Sequence, residues 1–303
     1  MNILGKRYFF FALSTLLIVP GLIILFAGGM PLSIDFTGGS LLEVTFSGAA
    51  PTTEDIIAVY DAQNIEDVQV QSTETGSFII RSQFLENDVR DSLLAALAQS
   101  ISEPTVVRFD SVGPSIGQQV TSRGAQAIAI SSILVVLFIA WSFRGVQNAF
   151  RYGVSAILAM LHDVALIFSI TAIGGRFFGW EIDSLFLTAL LTVIGFSMQD
   201  SIVVFDRIRE NSNILRRLDF ETLVNHSIVQ TLQRSINTQL MTVEFLLLAL
   251  AMFGGITLRE FAIVLLVGLL SGTYSSIFVA APILVVWEKQ EWKTWFRRKE
   301  AAA

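Results

Sequence analysis

Cysteine is absent from this sequence of 303 residues, and charged residues are scarce. Without cysteine the chain can form neither a disulfide nor a cysteine-ligated metal site. Charged residues make up 15% of the chain and hydrophobic residues 53%, whereas an ordinary soluble domain has roughly 25% charged residues. The mean hydropathy is +0.63. A soluble chain of this composition would expose large apolar patches, so we predict a membrane protein.

Other absences restrict the chemistry. The formal net charge of −6 leaves no basic excess to neutralise phosphates, so we expect no nucleic-acid partner. The sequence contains no phosphate-binding glycine loop and no metal-ligand cluster, so we expect no cofactor, no metal and no ATPase. Gly113–Gly117 has the G-x-S-x-G pattern of a hydrolase, but Ser115 would need a nearby histidine. His162 and His226 fall in a predicted span and a predicted cytoplasmic segment, so we predict no enzyme.

Six apolar runs are long enough to cross a hydrocarbon core of about 30 Å, which needs about 20 helical residues. They cover approximately residues 8–26, 125–143, 153–173, 184–205, 238–253 and 261–287. The first run is longer than the apolar part of a signal peptide, which has roughly 7 to 15 residues. We therefore predict a retained anchor and a polytopic α-helical protein with six transmembrane helices.

The orientation follows from the basic residues, because Lys and Arg in short loops stay on the cytoplasmic side. Most of them fall on one face of the predicted topology: Lys6, Arg7, Arg144, Arg151, Arg207, Arg209, Arg216, Arg217, Arg234, Lys289, Lys293, Arg297, Arg298 and Lys299. The short loops of the other face carry only Arg176 and Arg259. Both termini are therefore predicted to be cytoplasmic, and the segment between the first two spans external.

This topology divides the chain into four parts. Residues 1–29 form the N-terminus and first helix, 30–122 an external domain, 123–288 the other five spans, and 289–303 a basic cytoplasmic tail. Within the third part, the cytoplasmic segment 206–235 is either an interfacial helix or a loop that reaches into the site.

The external domain reads as soluble α+β structure. Strands are predicted at 41–46, 68–72, 78–81 and 105–109, with a turn at 74–76. A first helix starts at Thr52 or Thr53 as N-cap, and a second runs from about Asn87 to Ser100. The order βαββαβ predicts a ferredoxin-like split βαβ domain.

Ionisable residues inside the predicted spans are candidates for function, because burying them in lipid is costly. Asp163, beside His162, lies near the middle of the third span, Asp200 in the cytoplasmic third of the fourth, and Glu244 in the fifth. Burial and neighbouring charges tune how readily a carboxyl binds a proton, so these groups could load and release protons. The alternative is a polar residue that bonds between helices or extends to the interface.

Two further features are less specific. Arg234 is predicted to open the fifth helix and to lie beside the fourth span, or else to act as a lipid anchor. The sixth span carries small residues at four-residue spacing, Gly268, Gly272, Ser276 and Ala280. A face of small residues lets a neighbouring helix approach closely, which predicts helix packing. The alternative is that this face slides against a moving helix.

Six stretches resemble the SecF family, the membrane subunits of the bacterial SecDF protein-export complex in the RND superfamily. They are Ile34–Gly39, Val112–Gly117, Leu161–Val164, Gly195–Asn211, Gln230–Ser235 and Phe253–Gly255. Among them, Asp35, Gly38, Gly39 and Gly113 belong to the family motifs. The family usually has Asn where this chain has Gln199, and often His where it has Gln233.

The resemblance implies an RND-type half that pairs with SecD and uses the proton motive force to draw secreted proteins outward. SecYEG, SecA and YajC would be further partners, unfolded preproteins the substrates, and the bacterial inner membrane with its lipids the location. The family's proton path implies a relay with Asp200, Arg234 and Asp163. We expect Asp200 to take up a proton from outside, lose its attraction to Arg234 and let the helices shift until the proton leaves inward.

Two other functions remain open at this point. An RND-type exporter of lipids or small molecules would also use carboxylates in its spans, but it would need a larger external domain and a second half. A structural subunit would stabilise a translocon without moving protons, but it would gain little from unpaired carboxyls in lipid.

Overall fold

The computed structural model describes residues 2–29, 32–47, 50–73, 76–144, 148–239, 245–254 and 256–295. The chain divides into two compact units. Residues 32–126 form the first, which we call the sheet unit, and residues 1–31 with 127–303 form the second, the helical unit. Each unit has its own buried core.

In its described residues, the sheet unit contains four strands, two helices that cover the sheet, and one short additional helix. The elements are α2 (Ile34–Thr37), β1 (Gly39–Phe46), α3 (Thr53–Ala62), β2 (Gln69–Ser72), β3 (Phe78–Ser82), α4 (Asn87–Ser100) and β4 (Pro104–Val112). The strand order is β2-β3-β1-β4, and every neighbouring pair is antiparallel. β1 and β2 therefore run parallel on either side of β3, as in a split βαβ unit. The predicted order of strands and helices is confirmed, although β4 extends further than predicted and α2 was not predicted.

The core of the sheet unit lies between the sheet and its two long helices. Leu42 of β1 pairs with Ile80 of β3 and with Phe109 of β4, and Tyr60 of α3 is fully buried beside them in the same core. Because burial disfavours the charged phenolate, it raises the pKa of Tyr60.

Helix α3 starts where the sequence indicates. Thr52 is its N-cap, and the Asp55 N–H donates to the Thr52 hydroxyl at 3.2 Å. The Thr52 N–H in turn donates to the Asp55 carboxylate at 3.0 Å, which completes a capping box. Hydrogen bonds from the Thr52 hydroxyl and N–H hold the pKa of Asp55 below its ordinary value.

The helical unit is built of helices that range from 4 to 31 residues in length. They are α1 (Arg7–Gly28), α5 (Pro114–Ser142, which begins in the sheet unit), α6 (Ala149–Phe178), α7 (Ser184–Ile214), α8 (Phe220–Gln239), α9 (Phe245–Phe253), α10 (Ile256–Ser275), α11 (Ala281–Lys289) and α12 (Trp292–Trp295). A π-helical segment, Ser276–Ala280, joins α10 to α11 in one continuous helix. A single turn of 3₁₀-helix precedes α1.

Within the described ranges, five helices are long and apolar enough to cross a membrane: Leu4–Gly28, Pro114–Ser142, Ala149–Phe178, Ser184–Ile214 and Leu258–Lys289. They contain the predicted first, third, fourth and sixth runs, and all of the second run except its last residue, Phe143. The predicted fifth run, 238–253, includes residues 240–244, which lie outside the described residues together with the candidate Glu244. Helix α9 covers the last nine residues of that run.

Helices α6, α7 and α10 form the centre of the helical unit. In the most apolar windows of α6, α7 and the last long helix, 50%, 50% and 61% of the residues are buried. The corresponding share is 11% for the first helix and 6% for α5. These two helices therefore present broad apolar surfaces that the described part of the chain does not cover.

The small-residue face predicted in the sixth span points into this centre. A Cβ at Gly268 would lie 2.4 Å from Val193 Cγ2 of α7, and one at Gly272 would lie 3.2 Å from Ser197 Cα. Ser276 and Ala280 continue the face and are fully buried. The α7 backbone can approach α10 this closely because both glycines lack a side chain.

The segment 206–235 is helical at both ends rather than a loop. Helix α7 continues to Ile214, and α8 begins at Phe220 after a cap from Asp219, whose carboxylate accepts from the Thr222 N–H at 3.2 Å. The prediction that Arg234 opens a helix was wrong, because α8 contains neither Pro nor Gly and runs unbroken from Phe220 past Arg234 to Gln239.

Candidate functional site

Asp163 lies at the centre of the helical unit, where its side chain is 1% exposed. The Ser197 hydroxyl of α7 donates to Asp163 Oδ2 at 2.5 Å, and the Ser275 hydroxyl of α10 donates to the same oxygen at 2.6 Å. The Ser271 hydroxyl, also of α10, donates to Oδ1. Side chains from α7 and α10 therefore converge on one carboxylate of α6.

His162 supplies a fourth contact to this carboxylate. Its Nδ1 lies 3.0 Å from Asp163 Oδ1, and its Nε2 lies 2.9 Å from the Ser14 hydroxyl of α1. In the tautomer that carries the proton on Nδ1, the imidazole donates to Asp163 and accepts from Ser14. A carboxylate has about four acceptor sites, so His162 and the three serines saturate Asp163.

The same cluster reaches the first helix through a tyrosine. The Tyr274 ring stacks on His162 with centroids 6.0 Å apart, and its oxygen lies 3.3 Å from the Ser14 hydroxyl. The Tyr274 hydroxyl donates to the Phe10 carbonyl at 2.9 Å. Asp163 thus connects α1, α6, α7 and α10 through one hydrogen-bonded network.

Asp200 has a different environment, although it lies only three residues beyond Ser197 on α7. It is 9% exposed, and its Oδ2 accepts from Gln239 Nε2 of α8 at 3.3 Å. Thr273 of α10 also approaches the carboxyl. Asp200 thus has two side-chain partners, whereas Asp163 has four. The Asp200 carboxyl is therefore the less firmly held of the two.

Arg234 does not meet Asp200 in this conformation. Its side chain is exposed, and among the described residues it forms no ion pair with Asp200. The predicted direct attraction between Asp200 and Arg234 is therefore not a feature of the structure. Instead, Gln239, five residues later on α8, is the side chain that reaches the carboxyl.

Sequence reasoning overlooked the residues that hold the two aspartates: Ser14, Ser197, Gln239, Ser271 and Ser275. A signal for some of them was present, because hydroxyl residues stand one turn apart at 271 and 275, and another precedes Asp200 by one turn. Serine is common in packed transmembrane helices. Only the three-dimensional arrangement shows that these hydroxyls aim at one carboxylate.

The glycine motifs meet each other within the sheet unit. Gly38 and Gly39 have φ of +73° and +121°, which side chains rarely adopt. A Cβ on Gly117 would lie 2.8 Å from the Gly38 nitrogen, whereas a Cβ on Gly113 would meet nothing within 4 Å. Asp35 lies in α2, whose N-cap is Ser33. Thus Gly117, more than the predicted Gly113, has a steric reason to be glycine.

An ion-pair cluster joins three helices at the end of the helical unit where α1 begins. Arg7 Nη1 lies 3.0 Å from Glu221 Oε1 of α8, and Arg7 Nη2 lies 2.5 Å from Glu291 Oε1. Lys289 at the end of α11 also pairs with Glu221. The contact with Lys289, followed by that with Arg7, holds the pKa of Glu221 below its ordinary value.

Within the described residues, no group of His, Asp and Glu side chains has the arrangement to hold a metal ion. Apolar helices of membrane-spanning length, carboxyls buried at their centre, and a small α+β unit inserted between the first and second of them define the chain as a multi-pass membrane protein.

Comparison with known proteins then gives the family. The profile described as "Protein export membrane protein SecD/SecF, C-terminal" matches residues 93–290, and the "SecD/SecF GG Motif" matches residues 23–50. The chain belongs to the SecD/SecF family of protein-export membrane proteins.

Its relatives cover the chain almost completely. Protein translocase subunit SecF of Anaerolinea thermophila is 60% identical over 98% of this chain and 97% of its own length. The same subunit of Thermobaculum terrenum is 44% identical over 100% of this chain and 99% of its own length. The crystal structure of SecDF, a translocon-associated membrane protein from Thermus thermophilus, matches with a TM-score of 0.81 and 33% identity, over 95% of this chain and 39% of that one.

Proposed function

We propose that the chain is the SecF subunit of a bacterial protein translocase. In this role it uses the proton motive force to help draw unfolded secreted proteins across the membrane after SecYEG and SecA have acted. The observation that carries the proposal is Asp200, a carboxyl buried among α7, α8 and α10 whose side-chain partners are Gln239, through a long hydrogen bond, and Thr273. Its SecF relatives are named protein translocase subunits.

The proposed topology has six spans, including 238–253, in the bacterial inner membrane with both termini cytoplasmic. The sheet unit is then the external domain, and its strand order supports a ferredoxin-like fold. The cluster of Arg7, Glu221 and Lys289 supports a shared side for the start of α1 and the end of α11. Basic residues at that end agree with the positive-inside rule.

The proposed partner is a SecD chain. The SecDF chain of Thermus thermophilus contains a region like this one in 39% of its length, which suggests a second half supplied here by a separate protein. The uncovered surfaces of α1 and α5 offer room for that partner and for lipid. SecYEG, SecA and YajC belong to the same proposal as further partners.

The proposed energy source is sufficient in magnitude. A membrane potential of 100 mV supplies about 2.3 kcal/mol for each elementary charge that crosses. That free energy biases a two-state equilibrium more than tenfold.

A proton on Asp200 would neutralise the carboxylate that accepts the hydrogen bond from Gln239, and would loosen α8 from α7. Arg234 lies on the same helix as Gln239, so a shift of α8 would change its distance from Asp200, while Asp163 would hold the other helices together.

The test is secretion of a reporter protein in cells depleted of their own SecF and supplied with this chain. Asp200→Asn removes the titratable group and keeps the shape, so we expect it to lose secretion that the unchanged chain restores. Asp206→Asn is the matched control, because Asp206 is an exposed aspartate of α7 that pairs with Arg209. It should retain secretion at equal membrane abundance.

The outcome also separates the alternatives. If Asp200→Asn supports secretion as well as the unchanged chain does, proton coupling at Asp200 is wrong and a structural subunit becomes the better description. If the unchanged chain fails to restore secretion when it is present with SecD, the assignment to protein export itself is wrong.

A further inference from the structure

Helix α8 carries a stripe of polar side chains that the proposed proton site does not explain. Ser227, Thr231, Ser235 and Gln239 follow one another at four-residue spacing, and all four are buried. A spacing of four places them on one face of the helix. Ser227 and Gln239 are twelve residues apart, or roughly 18 Å at 1.5 Å per residue, and Gln239 contacts Asp200. We call it the α8 stripe.

The facing side of α7 is polar at both ends and apolar between them. Asp200 lies at one end and Asn211 at the other, and Val204 and Ile208 between them are fully buried. These residues recur with spacings of four and three, so they share the face of α7 that meets α8. The α8 stripe therefore follows the contact between the two helices from a buried carboxyl to Asn211.

Hydrogen bonds connect the Asn211 end of the stripe to exposed groups. Asn211 Nδ2 donates to the Ser227 hydroxyl at 2.8 Å and to Gln230 Oε1 at 3.0 Å. Gln230 is exposed, lies 2.9 Å from His226 Nε2, and accepts from Arg207 Nε at 2.7 Å. The stripe thus begins at polar groups that water can reach.

Ser235 in the middle of the stripe has a hydroxyl without a partner among the described residues. Its side chain is buried, and the hydroxyl neither donates nor accepts. Ser227 and Thr231 differ, since their hydroxyls donate to carbonyls of the preceding turn. A buried polar group without a partner loses hydrogen-bonding free energy, and a bound water is a common explanation. Thr231 and Gln239, one turn away on either side, provide further polar groups for such a water.

We propose that water enters along the α8 stripe and connects Asp200 with the Asn211 end of the helical unit, so that protons reach and leave Asp200 by this path. The role of this path in proton movement rests on the proposed function, whereas the position of the path along α8 does not. Asp163 offers no equivalent path, because four donors already saturate its carboxylate.

Cysteine labelling tests the path directly, since the chain contains no cysteine of its own. Single variants Ser235→Cys and Thr231→Cys are produced together with SecD in membrane vesicles and treated with a charged methanethiosulfonate reagent from the Asn211 side. The reagent reacts with the thiolate, which forms in water and not in a dry interior. Thr171→Cys is the matched control, because Thr171 is also buried with a hydroxyl that lacks a partner among the described residues, but it lies on α6 and outside the α8 stripe.

We expect Ser235→Cys and Thr231→Cys to react at least about tenfold faster than Thr171→Cys, as hydrated thiols should. Equal rates at the three positions, or reaction only from the opposite side, would overturn the path.

Proton flux in the same vesicles separates this inference from the proposed function. Loss of flux in Asp200→Asn and in the isosteric Thr231→Val, but not in Thr171→Val, supports both. Loss in Asp200→Asn alone refutes the path and leaves the proton coupling intact.

Discussion

At the residue scale, the two buried aspartates are distinguished by the donors around them. Asp163 accepts from hydroxyls on α7 and α10 and contacts His162, whereas Asp200 has a long bond from Gln239. A hydrogen bond to a charged acceptor contributes more than one between neutral groups. We therefore expect Asp163 to stabilise the bundle and Asp200, which has fewer donors, to be held less firmly.

Removing one donor of Asp163 should destabilise the protein. Ser275→Ala deletes the 2.6 Å bond to Oδ2, and we expect a loss of about 1.5–3 kcal/mol in the free energy of unfolding. The measurement is denaturant unfolding in detergent followed by tryptophan fluorescence. Ser276→Ala is the control, because the Ser276 hydroxyl donates only to the Thr273 carbonyl of its own helix. Equal losses in both variants would contradict the role of the Asp163 network.

A second prediction at this scale concerns the glycine motifs. In Gly117→Ala the new methyl would lie 2.8 Å from the Gly38 nitrogen and 3.0 Å from the Phe36 carbonyl oxygen. Backbone atoms cannot move aside easily, so we expect a loss of about 1–3 kcal/mol. Gly113→Ala, with open space around the new methyl, should stay close to the unchanged chain. Thermal unfolding of the three proteins checks this, and a destabilised Gly113→Ala with a normal Gly117→Ala would contradict it.

At the element scale, α8 is attached at both of its ends. Near its start, the Ile3 N–H donates to Asn225 Oδ1 at 2.8 Å, and Glu221 pairs with Arg7 and Lys289. At its other end, Gln239 reaches Asp200. A helix held in this way can transmit a change at Asp200 to the start of α1 and to the end of α11.

The ion-pair cluster should make stability depend on pH. Because the folded state lowers the pKa of Glu221 from 4.5, its contribution is complete above that value and is lost as the pH falls through the folded-state pKa. Glu221→Gln should cost about 1 kcal/mol at neutral pH and should flatten this part of the acid dependence. Unfolding measured from neutral to acidic pH tests it.

The control for this prediction is Glu210→Gln, because Glu210 is exposed and pairs with Arg207 on the same helix. It should retain the acid dependence of the unchanged chain. An identical acid dependence in Glu221→Gln and the unchanged chain would show that the cluster does not contribute to folding stability.

At the scale of the whole molecule, the apolar surfaces of α1 and α5 determine which surroundings the folded chain needs. With 11% and 6% of their most apolar windows buried, these helices require lipid or a protein partner, since apolar helix surfaces of this size are not stable in water. This feature supports the proposed pairing with SecD.

We expect pairing to raise the thermal midpoint, because a partner that binds only the folded chain stabilises it by mass action. The chain purified with SecD in mild detergent should unfold several degrees above the chain purified alone. A dilution series of the complex provides the control, since the midpoint should fall as the subunits dissociate. An unchanged midpoint would indicate that lipid alone covers the two helices.

The sequence by itself determined the class, the spans that the structure describes, and the order of the sheet unit. Apolar runs of bilayer length, strand periodicity and the Thr52 cap are local properties, and local properties can be read along the chain. The SecD/SecF motifs were equally local. Asp163 and Asp200 were also identifiable from the sequence, because ionisable residues are rare in apolar helices.

Only the tertiary structure decided how these aspartates differ. The donors of Asp163 come from positions 34, 108 and 112 residues away along the chain, and Gln239 is 39 residues from Asp200. No local pattern shows which side chains from separate helices meet, because helix rotation and contact depend on the packing of the whole unit. For the same reason, the exposure of Arg234 and the continuity of α8 appear only in the fold: the α7–α8 contact orients the buried stripe and leaves Arg234 outside.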